Sequence, residues 1–199
     1  MEDKKVEVEL ITITPDAERV IELAGRTCYL SFDRIKEDSD KNFIDRLLKM
    51  GHESPLEHAC ATFKIINGSR AMTHQLVRHR LISVSQQSQR YVSEKAFEYV
   101  TPPAIPSEFV EDYHNDMAVM QNMYNKWVQR GLKKEDARFV LPNACTSEIV
   151  VSANFREWRH IIKLRTSSKA QWEIRQTCKM ILDILKQQAP TCFEDIMPD

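Results

Sequence analysis

An α/β protein folded as a single domain, residues 1–199, is what this sequence predicts, and three observations lead there. Stretches with the two-residue alternation of a half-buried strand interleave with stretches whose apolar residues recur at helical spacing. The chain is 42% hydrophobic over 199 residues, enough to build one core. Its charges nearly cancel, 28 Lys and Arg against 29 Asp and Glu, which excludes a disordered chain and argues against a nucleic-acid binder that is basic overall.

The elements follow in order. Val6 to Thr14 alternates apolar and polar side chains and is rich in β-branched residues, a strand. Pro15 and Asp16 open a helix that runs to about Gly25. Asp40 to Met50 puts Phe43, Ile44, Leu47 and Leu48 on one face of a second helix, which Gly51 stops. Ala59 to Asn67 reads as a strand ended by the turn signal Asn67-Gly68, and Ser69 caps a helix from Arg70 to about Leu81. Three prolines mark Phe97 to Pro106 as a connection. A long helix from Ser107 to Arg130 carries a stripe of Met and aromatic residues suited to a core or a subunit contact. Lys134 to Leu141 is a short helix, Thr146 to Ala153 a strand, Asn154 to Arg165 a helix, and Ala170 to Ala189 a strongly amphipathic last helix.

Composition bounds the chemistry. Cys28, Cys60, Cys145, Cys178 and Cys192 are odd in number and nowhere spaced as C-x-x-C, as expected of reduced thiols in a cytoplasm. No apolar run reaches the roughly 18 residues of a membrane span, and Met1 to Lys5 reads as the lead into a strand, with no signal peptide. The expected protein is cytoplasmic, with no membrane or nucleic-acid partner. Only Gly25, Gly51, Gly68 and Gly131 are present, so no glycine loop can cradle a nucleotide and phosphates fall to Arg, Ser and helix amino termini. His52-Glu53-Ser54-Pro55-Leu56-Glu57-His58 fails as a zinc motif, because its histidines are not one helical turn apart and Pro55 intervenes; no metal is expected.

The richest stretch is Arg78 to Tyr91. Between Ser69 and Ser93 there is no Asp or Glu, yet Arg70, Arg78, Arg80 and Arg90 fall there. Arginines often only decorate a solvated helix face. Here Ser83, Ser85, Gln86, Gln87, Ser88 and Gln89 follow at once, and a run of neutral hydrogen-bonding groups beside guanidinium forks describes a pocket for a polar anion. On the expected helix Gln75 lies one turn from Arg78 and His79, so the three share a face.

Arg78-His79-Arg80 with Ser83, Ser88, Arg90 and Tyr91 at this spacing resembles the signature of the flavin-dependent thymidylate synthases. Gly51-His52-Glu53-Ser54-Pro55-Leu56-Glu57-His58 before it is similar to a second family stretch. Ala137 to Pro142, Asn154-Phe155-Arg156 and Leu164 to Ile174 are similar to three more in the right order. The resemblance implies an α+β fold with a mostly antiparallel sheet and flanking helices, assembled as a homotetramer. It implies formation of thymidylate from deoxyuridylate, with methylenetetrahydrofolate as carbon donor and FAD, reduced by NADPH, as hydride source. It gives FAD to Ser54, Glu57, Arg78, His79, Arg80, Gln86, Asn154, Arg156 and His160. It gives deoxyuridylate to Gln75, Gln86, Gln87, Ser88, Arg90, Arg138 and Arg165, and the folate to His52. Arg90 and Arg138 are assigned to the phosphate. Arg165 and Ser88 are the candidate catalytic residues, Arg165 countering charge on the uracil and Ser88 positioning it, since no base stands beside that hydroxyl in sequence.

Four residues depart from the family pattern: Ser85 and Gln86 stand where Asn and Glu are usual, and His160 and Lys169 where Asn and His are commoner. The neutral amide removes a proton acceptor, so a non-catalytic FAD- or nucleotide-binding relative is the alternative. A single-strand-binding module using the arginines with Tyr91 and Tyr99 is a further reading, opposed by the balanced charge.

Overall fold

The computed structural model describes residues 5–199. The reading of the amino terminus as a lead into a strand falls, for Met1 to Lys4, outside the described residues. Four strands form one antiparallel sheet: β1 (Glu7–Ile13), β2 (Cys60–Ser69), β3 (Ser83–Gln86) and β4 (Thr146–Asn154), in the order β1-β2-β4-β3. The helices are α1 (Ala17–Thr27), α2 (Ser39–Lys49), α3 (Arg70–Leu76), α4 (Val110–Gln129), α5 (Lys134–Ala137), α6 (Phe155–Arg165), α7 (Trp172–Gln188) and α8 (Pro190–Phe193). Short 3-10 turns occupy Phe32–Arg34, Ser54–His58, Ser107–Phe109 and Arg138–Val140. The chain divides into two compact units: one of the residues up to Glu7 with Ile65–Gln75 and Ser85–Ile149, the other of Val8–Lys64, Leu76–Val84 and Val150–Asp199.

The second unit holds the larger apolar core. Helix α6 buries Phe155, Trp158, Ile161 and Ile162, and α7 buries Ile174, Cys178, Ile181, Leu182 and Leu185, the i, i+3/i+4, i+7 faces that their periodicity predicts. Trp158 meets Phe63 of β2 edge to face with centroids 5.2 Å apart and donates its indole N–H to the Ala61 carbonyl at 3.0 Å. Phe155 meets Phe193 the same way at 5.0 Å. Helix α6 starts sharply because Asn154 Oδ1 accepts from the Glu157 amide at 2.9 Å, an N-cap. Buried Arg159 donates to both carboxylate oxygens of Asp195, each at 2.6 Å, and to the Cys192 carbonyl, tying the last residues to α6. Gly51 ends α2 in the left-handed region (φ 72), as expected of a residue at that place.

In the first unit Phe97, Met117 and Cys145 form a small core against which Tyr99, Tyr113, Met120, Leu141 and Ala144 pack. The stripe on α4 divides: Met117 and Tyr124 are buried, whereas Met123 remains exposed, as does Val119 outside the stripe. Ser69 Oγ accepts from the Met72 amide at 3.0 Å, the cap expected of it.

Three expectations fail. Asn67-Gly68 does not end β2; Asn67 takes the left-handed backbone (φ 59) that a short polar side chain tolerates, and the strand continues to Ser69. Helix α3 stops at Leu76, so the helical face meant to gather Gln75, Arg78 and His79 does not exist. The polar run after the arginines, where the sequence suggests no strand, contains β3, whose neighbour Gln87 donates its amide to the Glu148 carbonyl of β4 at 2.9 Å. A four-residue strand is too short to announce itself by alternation.

Candidate active site

The second unit assembles its polar groups around His79. That residue is buried, and its Nε2 accepts a hydrogen bond from Arg165 Nε at 3.0 Å. Its Nδ1 faces Glu157 Oε1 at 3.7 Å, and its ring lies edge-on to His160 with centroids 5.8 Å apart. Burial, then the charges of Arg165 and His160, push the imidazole pKa down to about 4. At neutral pH the ring is therefore uncharged, with Nε2 the acceptor and the proton on Nδ1. His79 thereby fixes the guanidinium of Arg165 at the last turn of α6. Together His79, Glu157 and His160 place one possible ligand atom each within 4.8 Å, but the Nε2 lone pair of His79 is engaged by a cation, which opposes a metal there.

Beside this cluster opens a cleft of about 640 Å³. Asn154, Arg156, His160, Glu57 and Leu81 line it, with Glu53 and Glu157. Arg156 pairs with Glu57 at its exposed edge, and Ser54 begins the 3-10 turn that carries Glu57. The fixed φ of Pro55 favours this turn at its start. Arg78 and Arg80 are exposed, and neither is in an ion pair among the described residues. The side-chain oxygen of Asn154 serves as helix cap as well as wall. His52 is exposed and lines a different cleft.

The first unit assembles a second group. Arg90 Nε meets Glu135 Oε2 at 3.0 Å, and Arg138 Nε donates to the Glu135 carbonyl at 3.1 Å, so both guanidinium groups are anchored at α5. The pKa of Arg70 is lowered by burial and by the like charge of Arg138. Gln86 Nε2 donates to Thr73 Oγ1 at 3.0 Å and to Ser147 Oγ at 3.1 Å. Gln87 reaches the Glu94 carboxylate at 3.3 Å and accepts from the Glu148 amide at 3.3 Å. Ser88 Oγ accepts from the Arg90 amide at 3.3 Å, which shapes the turn and is no activation. Gln75 Nε2 donates to the Ala71 carbonyl of its own helix at 3.1 Å.

Sequence reading missed Glu157 and Glu135 as members of these groups and gave Arg70 no ligand. Arg70 had a signal, since it belongs to the carboxylate-free stretch; Glu157 and Glu135 had none, because each looks like an ordinary acid in the first turn of a helix.

A family described as thymidylate synthase complementing protein matches residues 9–191. The chain belongs to this family. It is 41% identical over 203 residues to the flavin-dependent thymidylate synthase of Geobacter sulfurreducens, covering 97% of this chain and 88% of that one. Identity to the flavin-dependent thymidylate synthase of Clostridium tetani is 36%, over 95% of this chain and 86% of that one. To that of Pyrococcus abyssi it is 46%, over 79% and 68%.

Proposed function

We propose that the chain is a flavin-dependent thymidylate synthase that converts deoxyuridylate to thymidylate. The observation that carries this is the family match over residues 9–191. FAD, reduced by NADPH, supplies the hydride, and methylenetetrahydrofolate supplies the carbon. The residues of the second unit suit FAD: exposed Arg78 and Arg80 are cations for its phosphates, and the cleft lined by Asn154, Arg156 and His160 offers donors beside the apolar Leu81. Ser54, Glu57 and the neutral His79 complete that set. Gln86 is assigned to FAD as well, and the residues assigned to deoxyuridylate are Gln75, Gln86, Gln87, Ser88, Arg90, Arg138 and Arg165.

The work of the chain is to orient and polarise. Arg90 and Arg138, anchored at α5, meet the phosphate dianion with forked donors. Arg165 is held through Nε by a neutral ring, which keeps its positive charge undiluted for the oxygen of a uracil that gains negative charge during attack. A charged His79 would push that guanidinium away; the buried, depressed imidazole avoids this. Ser88 positions the base. His52 is assigned to the folate. Burial pushes the thiols of Cys145 and Cys178 up to about 12 and that of Cys192 further still, so none of the three is a thiolate nucleophile at neutral pH.

Residues 1–199 act as one synthase domain, in a homotetramer in the cytoplasm. The apolar side chains that α4 leaves exposed, Val119 and Met123, support self-association. Among the described residues no helix is long and apolar enough to cross a membrane. The test is direct: purified protein is expected to be yellow and, with NADPH, folate donor and deoxyuridylate, to form thymidylate. A colourless protein that takes up no flavin would sink the reading; a yellow one without turnover would make the chain the non-catalytic relative.

A further inference from the structure

The second unit contains a larger cleft, about 770 Å³, framed by α1, α2 and the residues joining them. Its lining includes the aromatic rings of Phe43 and Tyr29 and the arginines Arg26, Arg34 and Arg46. Phe43 of α2 stacks under the guanidinium of Arg26, 4.6 Å from ring centroid to Cζ. The ring approaches this closely because α1 has Gly25 there: a Cβ would stand 2.6 Å from the ring. Arg26 is buried and held by Glu22, with Nε and Nη2 at 2.7 Å and 2.6 Å from one carboxylate oxygen, so it is part of the frame. Arg34 and Arg46 also line the cleft and are exposed; among the described residues neither has an ion-pair partner. Tyr29 and Met50, 78% and 52% exposed, supply an apolar rim. Among the described residues no Asp or Glu lines the cleft.

Two exposed guanidinium groups in the lining of one cleft suit an anion, and the aromatic side chains that share the lining suit a ring on that anion. We propose that this cleft binds an aromatic group that carries two or more anionic groups. Resting on the activity proposed above, two co-substrates have such an end: the folate, with aminobenzoyl and glutamate carboxylates, and NADPH, with adenine and a 2′-phosphate. The ring lies against Phe43 and Tyr29, and Arg34 with Arg46 take the anions. The cleft is then a tail site: it holds a co-substrate by the end that does not react, contributing affinity without touching the reacting atoms.

The experiment is calorimetric titration of the purified chain with two probes, p-aminobenzoyl-tetraglutamate and 2′-phosphoadenosine diphosphoribose. In Arg34→Ala/Arg46→Ala, one probe is expected to bind about tenfold more weakly than to the unsubstituted chain, with a smaller salt dependence. Loss confined to the first probe makes the folate the occupant, and loss confined to the second makes it the reductant. A second variant, Met50→Asp, sets a carboxylate in the rim and should weaken the same probe. If neither probe binds the unsubstituted chain, or both bind the double variant as tightly, the proposal is overturned. Binding is read without turnover, so a chain that forms no thymidylate would fail the proposed function and leave this result legible.

Discussion

The buried imidazole of His79 makes a prediction about stability against pH. Its folded pKa is depressed to about 4 from an ordinary 6.5. Between those values the unfolded chain binds a proton that the folded chain refuses, so stability rises with pH through the window and is lost as pH falls from about 6.5 towards 4. Working the linkage with these two constants, the contribution lost between about pH 7 and pH 5 is about 2 kcal/mol. His79→Gln cannot titrate, and its side-chain oxygen can still accept from Arg165. The assay is urea unfolding of both proteins at the two pH values. The substituted chain is expected to lose about 2 kcal/mol less than the unsubstituted one on acidification, since every other titrating group is common to both. Equal losses would refute the argument, as would an NMR titration in which His79 protonates at the pH of an exposed histidine.

Two further outcomes follow from the same structure. Arg165→Ala should lose turnover far more than Arg70→Ala, because the first removes the cation that His79 orients and the second a neighbour of Arg138; equal activities, measured as thymidylate formed, would contradict this. Asp195→Ala leaves the 2% exposed Arg159 without its bidentate partner and should destabilise the chain by about 3 kcal/mol in denaturant unfolding. A loss under about 1 kcal/mol would mean that Glu53, 3.7 Å from Arg159 Nε, suffices as a partner.

The sequence by itself determined the class of the elements and the family, because both are written in local spacing. Helix α6 and its Asn154 cap, the buried face of α7, Gly51 after α2 and Ser69 before α3 are each legible from a few neighbouring residues, since periodicity and capping are short-range effects. The stretch from Arg78 to Tyr91 named the chemistry because its charge is unbalanced locally. Only the tertiary structure decided which of these groups meet. It ended α3 at Leu76, set β3 into the sheet, and brought Arg165 of α6 to His79 and Arg138 to Glu135 and Arg70. A neutral histidine next to an arginine is a consequence of burial, and burial depends on segments far apart in the chain; no pattern of adjacent residues encodes it.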